Sequence, residues 1–243
     1  MGEVIAILSG KGGTGKSALC AGVGTALSNL GKKVLCVDGD VGLGNLDVFL
    51  GVDQNAPLSF ADICRGNYDI SKAAVHPDFP NLTYLAAPIG DFDISPKMLG
   101  DFLKSTGEKF DFILIDCPAG LGDRVSLFAE CAHRSIVVTL PDPAALRGAT
   151  RTGQHLELLG VHNVRMVVNR VFPELLKALK MNVDDMMDET GLALLGVVPT
   201  DPDVSIAAAK GKALQKYKRS GASAAYIRIA KRIQGLSVPI SGR

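Results

Sequence analysis

The sequence predicts an α/β fold built on a mostly parallel sheet. Short, continuous apolar runs alternate with segments of helical spacing, a pattern typical of strands covered by helices. Several runs end in a polar residue, as expected where the carboxyl ends of parallel strands form a ligand crevice. A glycine-rich segment also joins the first apolar run to the first predicted helix. The 243 residues are therefore expected to form one domain, residues 1–243, with a single core.

Strand and helix patterns follow one another along the whole chain. The predicted strands are residues 4–8, 33–38, 82–86, 110–116, 135–140, 164–170 and 194–199. The predicted helices are a first one that Gly31 ends, a short one near 60–64, and residues 96–106, 143–159 and 222–234. Ser95 is expected to cap the third of these helices, and Ile227, Ala230 and Ile233 are expected on one face of the last.

The composition is that of a globular protein. Hydrophobic residues make up 47% and charged residues 21%, with no low-complexity run. The apolar runs are far shorter than the ~20 residues that span a bilayer. The N-terminus lacks a basic segment followed by an apolar signal region, so a cytoplasmic location is expected.

The cysteines and histidines show no metal-binding pattern. The five cysteines are widely spaced and lie mostly in apolar runs, so buried free thiols are expected. No Cys-x-x-Cys pair occurs, and no iron–sulfur ligand set can be assembled from the spacing. The histidines are expected at the surface or in caps: His76, His133, His155 and His162.

Positive charge is concentrated near the end of the chain. Residues 204–243 contain nine basic side chains and no acidic one, whereas the net charge of the whole chain is +1. The basic residues between 210 and 232 are consistent with an anionic partner, either DNA or an anionic membrane surface. An ordinary solvated helix face would have the same composition, and the sequence leaves both interpretations open.

The segment from Gly10 to Ser17 has the features of a phosphate-binding loop, because it lies between a predicted strand and a predicted helix. Glycines let backbone N–H groups curl around an anion, and the helix N-terminus adds partial positive charge. Lys16 is expected to reach the β- and γ-phosphates of a bound nucleotide, and the Ser17 hydroxyl to bind Mg²⁺. The predicted nucleotide-binding residues of this segment are Gly10, Lys11, Gly12, Gly13, Thr14, Gly15, Lys16, Ser17 and Ala18.

Aspartates follow two of the predicted strands. Asp38 and Asp40 come at the end of strand 33–38, where they would face the phosphates. A carboxylate at Asp40 could orient the attacking water or hold a water on Mg²⁺. Asp116 ends strand 110–116, about a hundred residues after the loop, which favours a Mg²⁺-binding role beside Ser17. The following Cys117–Gly120 turn could bring a backbone N–H to the γ-phosphate.

The string from Lys11 to Ser17 resembles the deviant P-loop of the MinD/ParA ATPases, and the similarity covers nearly the whole chain. The segments 42–47 and 116–120 look more like MinD than like plasmid ParA. The resemblance implies a P-loop NTPase fold with a mostly parallel sheet of seven or eight strands and helices on both faces. It also implies that Lys11 crosses a dimer interface to the partner's nucleotide, although Lys11 could simply be solvated.

The same resemblance assigns roles to other residues. It makes Asp40 a catalytic residue alongside Lys11 and Lys16, and it gives Asp38 a supporting role at the Mg²⁺ site of Ser17 and Asp116. It implies that Asn169 hydrogen-bonds the purine edge, and that the loop containing Pro199 and Asp201 closes over the base. Asn169 could equally be a strand-end cap.

The implied function is a slow, Mg²⁺-dependent ATPase that works as an ATP-dependent homodimer. A MinD-type regulator of division-site placement, acting through a protein partner, is the main expectation. The alternatives are a ParA-type DNA-partition ATPase, a flagellar-number regulator of the same family, and a metabolic enzyme of dethiobiotin-synthetase type. Residues 235–243 look too short and too polar for the amphipathic membrane helix usual in MinD, and residues 144–150 lack the acidic side chains that MinD offers its division-inhibitor partner.

Overall fold

The computed structural model describes residues 2–41, 44–52, 58–88 and 92–240. Gly42 and Leu43 of the MinD-like segment 42–47, and Arg243 of the basic stretch, lie outside the described residues. No helix among the described residues is both long and apolar enough to cross a membrane.

Eight strands form one sheet. They are β1 (Glu3–Leu8), β2 (Val34–Asp38), β3 (Ala74–His76), β4 (Phe79–Leu85), β5 (Phe112–Asp116), β6 (Arg134–Thr139), β7 (Val164–Val171) and β8 (Leu194–Pro199). Their order across the sheet is β3-β4-β2-β5-β1-β6-β7-β8, and every pairing is parallel except that of the edge strand β3 with β4. The predicted mostly parallel sheet is confirmed. The sequence pattern missed β3, which at three residues is too short to show a period.

Helices cover both faces of this sheet. They are α1 (Lys16–Asn29), α2 (Leu46–Leu50), α3 (Phe60–Cys64), α4 (Pro96–Gly107), α5 (Asp123–Cys131), α6 (Pro143–Leu158), α7 (Pro173–Leu179), α8 (Val183–Thr190), α9 (Asp203–Ala209), α10 (Leu214–Tyr217) and α11 (Ala222–Ile233). The sheet divides the expected single core into two apolar clusters, one beneath α3 to α6 and α8, the other beneath α1, α2 and α9 to α11. Ser95 caps α4 as expected, accepting a hydrogen bond from the backbone N–H of Met98.

Close contact between α1 and α11 holds the second cluster together. A Cβ atom at Gly22 would overlap the Tyr226 ring, so the absence of a side chain lets the two helices approach. The buried face of α11 includes Tyr226, Ile229, Ala230 and Ile233. Ile227, expected on this face, lies beside it and is only partly buried.

His76 contradicts the expectation of a surface or capping histidine, because it is buried beside Phe79. Its Nε2 lies 2.7 Å from the Leu50 carbonyl oxygen, and its Nδ1 accepts the Asp78 N–H at 3.0 Å. Burial lowers the pKa of His76, against the opposing hydrogen bond to Leu50. The neutral ring thus joins the end of α2 to the β3–β4 hairpin.

Gly22→Ala should destabilise the protein by about 1–3 kcal/mol, because the added methyl group must displace the Tyr226 ring. The matched control is Gly100→Ala in α4, where the new methyl group would meet no described atom within 4 Å apart from the local helix backbone and the adjacent residues. That control should stabilise the protein by up to about 1 kcal/mol through higher helix propensity. Urea unfolding measures both, and equal effects would contradict the packing argument.

Stability should fall on acidification partly through His76. A lowered folded-state pKa means that the unfolded state binds more protons below about pH 6.5, so the free energy of unfolding decreases there. His76→Gln, which cannot titrate, should lose this contribution, while the exposed His162→Gln should retain it. Urea unfolding at several pH values tests this. Parallel pH curves for the wild-type protein and His76→Gln would rule it out.

Candidate nucleotide-binding site

The phosphate loop occupies the turn between β1 and α1, as predicted. Gly13 and Gly15 adopt positive φ angles of 79° and 92°, which favour glycine. Gly15 is also the N-cap of α1, and a Cβ atom there would overlap the side-chain nitrogen of Asn169. Ser17 is half-buried and Ala18 buried in the first turn of the helix. Two of the four loop glycines thus hold backbone conformations that other residues rarely adopt.

Contacts from both sides hold the loop in place. A Cβ atom at Gly10 would overlap the carbonyl oxygen of Gly148, so α6 lies directly against the start of the loop. From the other side, Asn169 Nδ2 donates a hydrogen bond of 2.7 Å to the Thr14 carbonyl oxygen. The Ser9 hydroxyl donates to the Lys11 carbonyl oxygen at 2.8 Å. The loop is thus preformed by its surroundings.

The loop offers unused hydrogen-bond donors. The backbone N–H groups of residues 11 to 15 donate to no acceptor among the described residues. The hydroxyl of the buried Thr14 also lacks a partner within the described part of the chain. Because these donors lie at the N-terminus of a 14-residue helix, they form a site suited to an anion.

The two loop lysines lie in different environments. Lys16 is only 9% exposed and is close enough to Asp116 for its charge to lower that pKa. Lys11, together with Gly12 and Gly13, is exposed at the rim of the loop. A buried ammonium group would serve a phosphate bound in its own loop, whereas an exposed one is free to reach another molecule.

Two buried carboxylates lie beside the loop. In the sheet, Asp116 pairs with Ile7 on one side and with Asp38 on the other. Burial raises the pKa of Asp116 to about 7, the Ser17 hydroxyl opposes this shift, and the Asp38 charge adds to it. Asp116 Oδ1 has no hydrogen-bond partner among the described residues. An unpaired, buried carboxylate oxygen beside a serine hydroxyl suits a hard cation such as Mg²⁺.

Asp38 uses its carboxylate within the chain. Its Oδ1 accepts the Asp40 N–H at 3.1 Å, and its Oδ2 accepts the Leu46 N–H at 3.0 Å. Burial raises the pKa of Asp38 to about 6 despite these hydrogen bonds. A Cβ atom at Gly44 would overlap this carboxylate. Asp38 therefore shapes the segment that presents the half-exposed Asp40, and its role at a metal remains a prediction.

No group of three or more His, Cys, Asp or Glu side chains is arranged to hold a metal ion by itself in the described ranges. A cation between Ser17 and Asp116 would therefore need further oxygen ligands, which phosphate groups and water supply.

The segment after Asp116 turns back toward the loop. Cys117 donates its N–H to the Ile7 carbonyl oxygen at 3.1 Å, and Gly120, with φ 94°, donates to the Ser9 carbonyl oxygen at 2.9 Å. Pro118 has no N–H group. The Ala119 N–H is therefore the one in this segment that bonds to no described residue, and it could donate a hydrogen bond to a phosphate.

The predicted base-binding residues lie at the ends of β7 and β8, which are adjacent strands. Asn169 is buried, and besides Thr14 it bonds Arg170, whose N–H donates to Oδ1 at 2.9 Å. Asp201 Oδ1 accepts the Asp203 N–H and its Oδ2 the Ala222 N–H, so this side chain anchors α9 and α11. Pro199 ends β8. Contact of these residues with a base remains a prediction.

Sequence reasoning missed two features of this region. Gly148 contacts the loop from α6, and Arg170 adopts a left-handed φ of 53° that costs roughly 1–2 kcal/mol for such a residue. Nothing in the local sequence marks either position.

Part of the basic stretch is neutralised within the chain. Lys216 pairs with Asp78 at 3.3 Å, and Lys218 pairs with Asp203 at 2.5 Å. Lys210 lies over the Tyr217 ring. These contacts favour the interpretation of an ordinary surface for this part of the stretch.

Comparison with known proteins agrees with this geometry. The family model described as the CobQ/CobB/MinD/ParA nucleotide binding domain matches residues 5–214. The septum site-determining protein MinD of Bacillus subtilis is 37% identical over 99% of this chain and 92% of its own length. The MinD of Synechocystis is 36% identical over 98% of this chain and 92% of its own length.

Solved structures give the same result. The MinC:MinD cell division protein complex of Aquifex aeolicus matches with a TM-score of 0.91 at 30% identity, covering 99% of this chain and 98% of that one. MinD of Pyrococcus horikoshii, complexed with Mg-ADP, matches with a TM-score of 0.82 at 32% identity, covering 96% of each chain. The chain belongs to the MinD/ParA family of P-loop ATPases.

Proposed function

We propose that residues 1–243 act as one Mg²⁺-dependent ATPase of MinD type, which dimerises around two ATP molecules and separates after hydrolysis. The observation that carries the proposal is the difference in exposure between the two lysines of the loop. Lys16 is buried beside Asp116, whereas Lys11 is exposed at the rim, where a second copy could approach. A single-copy kinase-like enzyme has no need of the second lysine.

ATP binding would use hydrogen-bond donors and charged groups that are already in position around the loop. The free N–H groups of residues 11 to 15 and the Lys16 ammonium group would contact the phosphates. Ser17 and Asp116 would hold Mg²⁺, which when bound neutralises charge on the phosphate oxygens. Asn169 and the loop containing Pro199 and Asp201 would contact the base. The P. horikoshii protein that binds Mg-ADP supports this nucleotide and metal.

Hydrolysis would depend on Asp40 orienting the attacking water. The hydrogen bond from its N–H to Asp38 fixes the backbone that carries the carboxylate. Asp38 would thus act on the reaction by positioning Asp40. Lys11 from the second copy would stabilise the charge that develops on the transferred phosphoryl group. A cation supplied in trans can be worth roughly 10³–10⁵ in rate, so the monomer should be slow.

The output of this switch would be a protein partner recruited by the ATP-bound dimer. The A. aeolicus MinD is solved with MinC, and the curated relatives are named for septum-site determination, which supports a role in division-site placement. We place the protein in the cytoplasm with a peripheral role at a membrane or pole. The internal ion pairs of Lys216 and Lys218 make DNA a weaker candidate for the partner.

Lys16→Ala should weaken ATP binding by about 100-fold or more, because a buried charge-assisted contact to phosphate is lost. Lys11→Ala is the matched control from the same loop, and the monomer should bind ATP with nearly wild-type affinity. Isothermal titration calorimetry with Mg·ATP measures both. Wild-type affinity in Lys16→Ala would remove this lysine from the phosphate site.

Asp40→Ala should bind ATP and accumulate as a dimer, since hydrolysis can no longer separate the copies. Light scattering in ATP and in ADP measures the molecular mass, and ATP turnover should fall by at least about 100-fold. Adding Lys11→Ala to this variant should return it to a monomer. A monomeric Asp40→Ala protein in saturating ATP would contradict the proposed role of Asp40.

A further inference from the structure

A pocket lies at the end of the sheet where the parallel strands begin, whereas the phosphate loop lies at the end where they finish. Its volume is about 430 Å³, and it is lined by Arg134 and Arg165, near the beginnings of β6 and β7, by the start of β8, and by residues 235–238 after α11. The loop follows the carboxyl end of β1, and β6, β7 and β8 run parallel to β1. The pocket is therefore separate from the nucleotide site.

Three arginines line this pocket, and they differ in how their charges are balanced. Arg134 pairs with Glu3 at 2.8 Å and also donates to the Ile233 carbonyl oxygen. Arg232 donates to neutral carbonyl oxygens, that of Leu195 at 2.8 Å and that of Val238 at 3.0 and 2.9 Å. Arg165 is exposed and its guanidinium group bonds to no described residue. Arg134 is therefore neutralised, whereas Arg165 and Arg232 have no acidic partner among the described residues.

The unbalanced charge is costly where it is partly buried. Burial lowers the pKa of Arg232, and the neighbouring Arg228 charge lowers it further. The carbonyl groups accept three hydrogen bonds from the Arg232 guanidinium but leave its full positive charge in place. No acidic side chain lines the pocket among the described residues. Positive charges in a concave, partly desolvated surface attract anions more strongly than the same charges on an open surface.

We propose that this pocket binds a phosphate-bearing anion, which Arg165 holds through its planar fork while Arg232 supplies a fixed positive charge behind it. The guanidinium fork matches two phosphate oxygens, and Arg165 has all its donors free. The pocket has room for a phosphate together with part of the group that carries it. This chemistry occurs in soluble phosphorylated metabolites and in phospholipid headgroups.

The test begins with inorganic phosphate as the probe, after the nucleotide site has been filled with saturating Mg·ADP. In ¹H–¹⁵N NMR spectra, the amides of Arg165 and Ser237 should shift saturably as phosphate is added. Arg165→Gln should weaken this binding by about ten-fold or more, and Arg165→Lys, which keeps the charge but loses the fork, should give an intermediate affinity. Arg151→Gln removes the same charge from the exposed surface of α6 and should change nothing.

Vesicles identify the source of the phosphate. Wild-type protein, Arg165→Gln and Arg151→Gln are sedimented with vesicles of phosphatidylglycerol and phosphatidylcholine, and with vesicles of phosphatidylcholine alone. A loss of binding to the anionic vesicles specific to Arg165→Gln assigns the pocket to a lipid headgroup. Loss of phosphate binding alone assigns it to a soluble ligand. If Arg165→Gln matches the wild-type protein in both assays, the proposal is overturned, whatever the result at the nucleotide site.

Discussion

The close packing of backbone around the phosphate loop is the constraint on which the site depends. Gly10 lies against Gly148, and Gly15 lies against Asn169, so two elements distant in sequence meet the loop where it has no side chains. The contacts determine the curvature of the loop before any ligand binds. Its N–H groups then need no ordering on binding, and this preorganisation lowers the entropic cost of capturing a phosphate.

Beside the loop lie buried groups of opposite sign, and the Lys16 charge acts on the Asp116 carboxylate. Asp116 has an unpaired oxygen, and its pKa is raised by burial. Lys16 is nearly buried as well. A phosphate and its cation would give the ammonium group and the carboxylate partners of opposite charge, which favours binding of the two together.

The parts of the structure that could be predicted from sequence are those encoded locally. The loop, the strand ending at Asp116 and the cap at Ser95 each depend on residues next to one another, and all lie where the pattern placed them. The mostly parallel sheet followed from the continuous apolar runs. A period of two or 3.6 residues needs several repeats to appear, which is why β3 escaped.

What could not be predicted depends on residues brought together by folding. Asn169 meets Thr14 across 155 positions, and no local signal distinguishes that contact from a strand-end cap. His76 has a polar side chain and is nevertheless buried, because two backbone groups form hydrogen bonds with its ring nitrogens. The same holds for Asp201, whose carboxylate joins two helix starts. Such partners are fixed by tertiary packing, which a single sequence shows only indirectly.

The two edge strands of the sheet, β3 and β8, limit how copies of this chain can associate. At one edge, β3 has only three residues and its register shifts between Val75 and His76. At the other edge, the Arg232 guanidinium donates a hydrogen bond to the Leu195 carbonyl oxygen of β8, which is then not available to a further strand. Interrupted or occupied edges resist the addition of a further strand. Association of copies of the chain by joining their sheets edge to edge into a continuous ribbon is therefore disfavoured. A reversible assembly can then form and dissociate without competition from that more stable association.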